Sequence, residues 1–334
     1  MPVLYLLEQG ATLRKDGDVL VVTKDDEELQ HVRAIEVEQI IIFVNINLTT
    51  PVITYILEHD IDCVFCNSYG NFHGRLISTE TRLGSLRLKQ AEAALNPERR
   101  LSLAASFIRG KLTNCRTVML RYRRELGLAE LDDTIAALED NISNLNACKD
   151  VGSLHGVEGA SAAGYFKAFR LLLKNDMGFN GRVHRPPTDP VNSLLSYTYT
   201  LLTYNMQAAI GIVGLDPFIG YLHSVEQARP NLALDLMEEF RPIVVDTLVL
   251  WLVNSPVVGE DDFEKPEEAG RMVKIKKDAL KKIIHHYEMR IQSKIQHPLA
   301  GGQTSYRRCF ELQVRQLARA LTGEAKEYLP FSVM

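Results

Sequence analysis

The chain has 334 residues, 46% hydrophobic and 24% charged, which is enough apolar content for a real core and enough length for two domains. It holds no run of about 18 uncharged apolar residues, and its opening MPVLYLLEQGATLRK has neither a basic leader nor a small-residue cleavage site, so a cytoplasmic location is expected. A formal net charge of −4 argues against a uniformly basic nucleic-acid binder, because phosphate affinity comes largely from Lys and Arg, although whole-chain charge averages over local patches.

Residues 1 to about 80 are β-rich: VLYLL, then TLRK and VLVVT joined across Asp16-Gly17, then IEVEQIIIF, IDCVF and FHGRLI. Asp-Gly between extended runs is a hairpin signal. One short helix, about Pro51 to His59, interrupts the strands. The pair Cys63 and Cys66 forms a CxxC, but Ile61, Val64 and Phe65 around it read as a strand, on which side chains three apart point to opposite faces. No metal or redox role is expected of it. Five scattered cysteines, an odd number that includes Cys115, Cys148 and Cys309, suit a reducing compartment better than a disulfide framework.

From about Leu83 the period becomes helical, with apolar residues three and four apart in LRLKQAEAAL, LSLAASFIRGKL, ELDDTIAALEDNISNL and ASAAGYFKAFRLLL. The rest of the chain is expected to be nearly all helix, with breaks at Gly178 to Pro190, Gly211 to Gly220 and Ser255 to Gly270. The last break is acidic and Pro-containing and predicts a mobile loop. The fold class is therefore α+β: a small β-rich domain over residues 1–80 and a large all-α domain over 81–334. Basic residues cluster at Arg109/Lys111/Arg116/Arg121/Arg123/Arg124, at Lys274/Lys276/Lys277/Lys281/Lys282 and at Arg307/Arg308/Arg315/Arg319. Each cluster is either a solvated helix face or a phosphate contact.

Glu158 opens the predicted helix GVEGASAAGYFKAFR and shares a face with Ala162, Tyr165 and Phe169, which otherwise looks like core. A carboxylate on a buried stripe needs a counter-charge, a proton or a metal; the other reading places it in an exposed first turn, where the helix dipole stabilises it. Gly159-Ala160-Ser161-Ala162-Ala163 narrowly misses the GxSxG nucleophile elbow, but Ser161 lies within a helical run rather than at a strand-to-helix turn.

In FIGYLHSVEQARPNLALDLMEEFRP, Pro230 suits a first helical turn and Leu234, Met237, Phe240 and Val244 line one side, while Asp235, Glu238 and Glu239 gather on the other. Pro242 is expected to kink or end this helix. Like charges one turn apart repel by a few tenths of a kcal/mol, and a divalent cation reverses the sign. His223 precedes the helix across SVEQARP, so an antiparallel return brings its imidazole over the carboxylates. One His with two or three carboxylates is a hard, oxygen-rich set suited to Mn²⁺ or Mg²⁺. On spacing alone, a solvated acidic face with an unrelated His stays open. There is no Walker A sequence, no GxGxxG after a strand, no HExxH and no paired CxxC with zinc-finger spacing.

The succession GVEGASAAGYF, RPPTDPVNSLLSYTYTLL, GLDPFIGYLH and LALDLMEEFRP closely resembles the CRISPR-associated integrase, the larger universal subunit of the spacer-acquisition complex. The flanks agree: a β domain in front, and behind it the basic GRMVKIKKDALKKIIHHYEMRI, then RRCFELQVRQLARALTGE and YLPF. The resemblance implies that Glu158, His223 and Glu238 bind the metal, with Asp235 as a further catalytic support. It also implies strand transfer, in which a free 3′-hydroxyl of captured DNA attacks a phosphodiester at a repeat boundary. Arg241 is assigned a phosphate contact or a salt bridge to Glu238; Lys277 and Arg185 are further candidate DNA contacts. Tyr165 and Asn192 are read as packing and hydrogen-bond supports. Homodimerisation through the β domain, assembly with a small ferredoxin-like partner, and double-stranded DNA as substrate follow from the same resemblance. The rival readings are a metal-dependent nuclease of DNA repair or branched-DNA processing, and a non-enzymatic nucleic-acid scaffold.

Overall fold

The computed structural model describes residues 3–67, 72–76, 84–223, 229–264, 268 and 270–333. The chain divides into two compact units, residues 1–82 and 83–334, the first strand-rich and the second mostly helical. The α+β class expected from the two hydrophobic periods holds.

The first unit carries β1 (Val3–Leu6), β2 (Thr12–Asp16), β3 (Val19–Lys24), β4 (Glu27–Arg33), β5 (Gln39–Ile42), β6 (Asn47–Leu48), α1 (Thr50–Glu58), β7 (Asp62–Cys66) and β8 (Phe72–Leu76). Two four-stranded sheets form, in the orders β4-β3-β2-β6 and β1-β5-β7-β8. The Asp-Gly hairpin joins β2 to β3, with Gly17 at φ +55°, a conformation that glycine adopts without the steric cost of a Cβ. Leu4, Leu13, Leu20, Ile40, Val52 and Ile56 close one core between the sheets and α1, each burial contributing roughly 1.5–3 kcal/mol.

Three details depart from expectation. β4, EELQHVR, is almost wholly exposed and charged, so no hydrophobic period reveals it; its ladder with β3 holds it in place. In IEVEQIIIF, Ala34–Glu36 winds into a 3₁₀ turn and only Gln39–Ile42 enters the sheet. Cys63 and Cys66 are both buried on β7, where burial first, and then the Asp62 charge, push the Cys63 thiol up to about 12. A protonated thiol is a poor ligand and nucleophile.

The second unit carries α2 (Gly84–Leu95), α3 (Pro97–Leu126), α4 (Asp132–Asn144), α5 (Val151–Leu171), α6 (Pro190–Val213), α7 (Asn231–Met237), α8 (Thr247–Asn254), α9 (Lys277–Gln292) and α10 (Tyr306–Thr322). Their ends follow local chemistry. Asn96 caps α3 by accepting from Arg99 N at 3.0 Å, and Asp189 caps α6 by accepting from Asn192 N at 2.8 Å. Both helices carry Pro in the first turn. α6 is buried on almost every side, as expected of a helix apolar all round; α7 and α10 pack on it, while α4 and α5 pack on α3.

The expectation of nearly pure helix needs correction. β9 (Phe263–Glu264) pairs with β10 (Lys274–Ile275), and β11 (Lys294–His297) pairs with β12 (Gly302–Ser305). The acidic segment expected to be a mobile loop thus contains a 3₁₀ turn, Glu260–Asp262, and a ribbon strand, while 265–267 and 269 lie outside the described residues. Pro242 does not end its helix: Arg241–Asp246 rewinds as a π-helix that runs on into α8. The wider turn accommodates the missing donor without breaking the rod. Among the described residues no helix is long and apolar enough to cross a membrane.

Candidate metal centre

Glu158 does not open its helix. α5 starts at Val151 behind a capping box in which Asp150 accepts from Ser153 N at 2.7 Å and Asp150 N donates to Ser153 Oγ at 3.3 Å. Glu158 therefore sits about two turns inside, with its side chain 24% exposed. Ser161 is buried within the same helix, where its hydroxyl donates to Val157 O at 2.8 Å and accepts from Asn141 Nδ2 at 2.9 Å.

Opposite Glu158 stands Lys111 of α3. Its ammonium pairs with Glu158 and lies 2.8 Å from Glu238 Oε2. Glu238 is buried and also meets Arg241 through Oε1 at 2.9 Å. Burial opposes its charge, but the Arg241 and Lys111 cations outweigh burial and hold the Glu238 carboxyl down at about 2. Burial likewise pulls the Lys111 ammonium down, and the charges of Glu238 and Glu158 more than restore it. Of the two roles open to Arg241, the structure makes the salt bridge; its guanidinium also stacks over the Tyr199 ring, 5.0 Å from the centroid.

Asp235 does a different job. Its fully buried carboxylate accepts from Tyr221 N at 2.5 Å, Leu222 N at 3.0 Å, His223 N at 3.0 Å and contacts His223 Nδ1 at 2.7 Å. The loop before α7 thus folds over this one acid. Gly220 is required there, because a Cβ would stand 2.8 Å from both Asn231 Cβ and Asp235 Oδ2. With Nδ1 committed to Asp235, the other ring nitrogen of His223 is the one available for a ligand. Burial pulls the imidazole pKa down, but the Asp235 hydrogen bond and charge, with Glu238 behind them, leave it above its ordinary value. His155 of α5 reaches Leu222 O through Nε2 at 3.2 Å and steadies the same loop. The linker 224–228 lies outside the described residues.

A cavity of about 640 Å³ opens beside these groups, lined among others by Lys111, Glu158, Arg182, His184, Tyr199 and Asp246. Asp246 ends the π-helix and is buried, accepting from Tyr165 OH at 2.9 Å and Tyr199 OH at 2.5 Å. Burial raises its pKa to about 6 against those two donors. Partial desolvation, with the charges of Arg182 and Arg241, holds His184 below its ordinary value at the exposed rim of the cavity. Asn192 is buried and pins the loop that carries Arg182: its Oδ1 accepts from Arg182 NH1 at 2.8 Å and Val183 N at 2.9 Å, and its Nδ2 donates to Gly181 O at 2.9 Å. Arg185, next to His184, and Lys277 are exposed and are not among the residues that line the cavity.

The structure therefore places Glu158 and Glu238 on one shared cation, sets His223 on Asp235, and closes the alternative of a solvated acidic face: Asp235, Glu238 and Glu239 are at most 2% exposed. Among the described residues, no three His, Cys, Asp or Glu side chains close into a ready metal cluster. The donor set still fits a hard divalent ion in kind, since two carboxylates from different helices already converge on a positive charge. Lys111 was missed as a site residue because the basic cluster around it reads as a helix face. Its signal was present: it shares a stripe with Ala104, Phe107, Cys115 and Val118, all buried, and a lone Lys on a buried stripe needs a partner for the reason that Glu158 does. Asp246 gave no such signal, because its tyrosine partners are 81 and 47 residues away in sequence.

The profile of the family described as CRISPR associated protein Cas1 matches residues 4–289. CRISPR-associated endonuclease Cas1 3 of Thermus thermophilus is 37% identical over 333 residues, covering 99% of this chain and 97% of that protein. Among solved structures, a casposase bound to its integration product superposes with a TM-score of 0.84 at 26% identity, covering 99% of this chain and 93% of that one. A CAS1 protein from Thermotoga maritima shares the fold, with a TM-score of 0.82 at 24% identity over the whole of both chains.

Proposed function

The chain belongs to the CRISPR-associated Cas1 family and is an enzyme of the nuclease and integrase type; from that premise, we propose that it joins 3′-hydroxyl ends of captured DNA to a CRISPR array by metal-dependent transesterification. The observation that carries the reading is the convergence of Glu158 and Glu238 on one cation, with His223 oriented alongside by Asp235. Glu158, Glu238 and His223 would hold Mn²⁺ or Mg²⁺, with Asp235 as an orienting support. When bound, such an ion polarises the phosphodiester oxygens and stabilises the attacking and leaving oxygens.

The chain's own groups supply the rest. A tethered ammonium yields the space between the two carboxylates more easily than a rigid group does, and the cavity gives the Lys111 arm room to withdraw toward an incoming phosphate. Arg241 and Arg182, each over the Tyr199 ring at 5.0 and 5.5 Å from its centroid, are held as a pair of charges lining the same cavity, suited to a phosphate. The reaction exchanges one P–O bond for another: the 3′-oxygen bonds to phosphorus, its proton leaves to water or a base, and the target strand's 3′-oxygen departs. No energy source is needed. The test is joining of a labelled 3′-hydroxyl oligonucleotide into a repeat-bearing plasmid; cleavage without joining would favour a repair nuclease instead.

Proton linkage gives a check on the site. The raised His223 pKa means that its pair with Asp235 stabilises the metal-free protein below the ordinary value near 6.5 and loses that contribution as pH rises through the raised value. Metal uptake runs the other way, because the ligand must be neutral. Lowering the pH from 8.5 to 6 in Mn²⁺ titrations should weaken binding, approaching about tenfold per pH unit below the His223 pKa. The same interval should not lower the melting temperature of the metal-free protein through this pair. Affinity that is flat with pH would remove His223 from the ligand set.

We also propose that the first unit is the dimerisation domain, that two dimers assemble with a small CRISPR-associated partner, and that double-stranded DNA is the substrate. β4 supports the first point: among the described residues it is a sheet edge with β3 as its one strand neighbour, and unpaired edges invite a second copy. A fragment of residues 1–82, which has its own core, should sediment as a dimer and 83–334 as a monomer. The reverse pattern would move the interface to the helices.

A further inference from the structure

Glu239 is fully buried, yet nothing in the chemistry above uses it. Its carboxylate faces the segment 328–333. Oε1 accepts from Tyr328 OH at 2.6 Å, and Oε2 accepts from Phe331 N at 2.7 Å and Gln313 Nε2 at 3.0 Å. The main-chain oxygen of Glu239 accepts from Asn114 Nδ2 at 2.7 Å, and Asn114 ties the same segment, donating to Phe331 O at 2.9 Å and accepting from Val333 N at 2.9 Å. Asn114 follows Lys111 by one turn of α3. The Phe331 ring stacks on Phe240 at 5.2 Å and on His297 at 5.0 Å. Gly110 completes the junction: a Cβ there would stand 2.8 Å from both Glu239 Cγ and Pro330 Cβ.

We infer that the segment 328–333 is a strap that sets the aim of the metal-site acid Glu238, with Glu239 as the positioning residue through which it acts. The inference rests on the proposed metal site. Adjacent residues on a helical turn point about 100° apart, so the turn that buries Glu239 against the strap fixes by its rotation where Glu238 points. The strap holds that turn from behind through Glu239 and holds α3 through Asn114. The two elements that present Glu238 and Lys111 are thereby tied to one backbone segment. A site of this kind tolerates only small errors, since ligand geometry must be kept within about 0.5 Å.

The test is Mn²⁺ affinity in the full-length protein, measured by electron paramagnetic resonance at a temperature where circular dichroism shows each variant folded. Glu239→Leu removes both oxygens that hold Tyr328, Phe331 and Gln313, and it should weaken Mn²⁺ binding by about 10- to 100-fold, the range for residues that orient metal ligands. Gly110→Ala, which pushes the same side chain, should act in the same direction. Tyr328→Phe, losing one donor, should fall between them and the parent, and it carries the test if Glu239→Leu does not fold. Folded variants that bind Mn²⁺ as the parent does, even with lower melting temperatures, make the strap a structural element only and overturn the inference. A parent protein that takes up no Mn²⁺ overturns the metal site, and the strap's role with it.

Discussion

Glu158→Ala and His223→Ala should each cut strand transfer on the order of 10³-fold, the scale of losing one group that acts on the transition state, while gel shifts with DNA change little. The two losses have different structural consequences. Glu158 is the more exposed partner of Lys111, and its removal leaves the ammonium paired with Glu238. The stability cost is then about 1–2 kcal/mol for one charged hydrogen bond, a fall of a few degrees in melting temperature for a unit of this size. Removing the His223 ring leaves Asp235 with its backbone donors intact, so the loop keeps its fold. Strand transfer retained in Mn²⁺ by either variant would sink the ligand assignment.

The second large effect separates the two acids. Glu238→Gln keeps the shape and removes the charge, and it should weaken Mn²⁺ binding by more than the 10- to 100-fold seen for groups that merely orient a ligand. It also leaves Lys111 and Arg241 buried with one carboxylate fewer, and losing one partner of a buried ion pair costs about 3–5 kcal/mol. Asp235→Asn should behave differently. Its acceptor role toward Tyr221, Leu222 and His223 N–H groups is only half kept by an amide, so stability falls by about 1–3 kcal/mol and His223 loses its restraint. Metal affinity should drop less than in Glu238→Gln. A Mn²⁺ titration of both beside the parent decides the matter, and loss of the ion by Asp235→Asn with retention by Glu238→Gln would falsify the choice of Glu238 as ligand.

Much of this protein is written in local pattern. Period two before residue 77 and period 3.6 after residue 83 separated the two units, because a strand and a helix bury different spacings of the same apolar residues. The Asp16-Gly17 hairpin and the start of α7 at Pro230 were legible for the same reason: turns and caps are decided by a few adjacent residues. The motifs around Glu158, His223, Asp235 and Glu238 were legible as a family pattern, without which an acidic helix face and a solvated one look alike.

What pairing and packing decided could not be read that way. β4 has no apolar period and exists only because β3 offers a ladder. Pro242 should break a helix in isolation, yet the chain rewinds as a π-turn and continues, since Met237 and Phe240 before it and Ile243, Val244 and Val245 after it are all buried. The acids are buried because, besides Arg241 three residues along the same turn, Lys111, the 221–223 backbone and the strap close over them from other elements. Whether a carboxylate is solvated, paired or hydrogen-bonded is a property of what stands opposite it, and for each of these acids most of those partners arrive only when the helices pack.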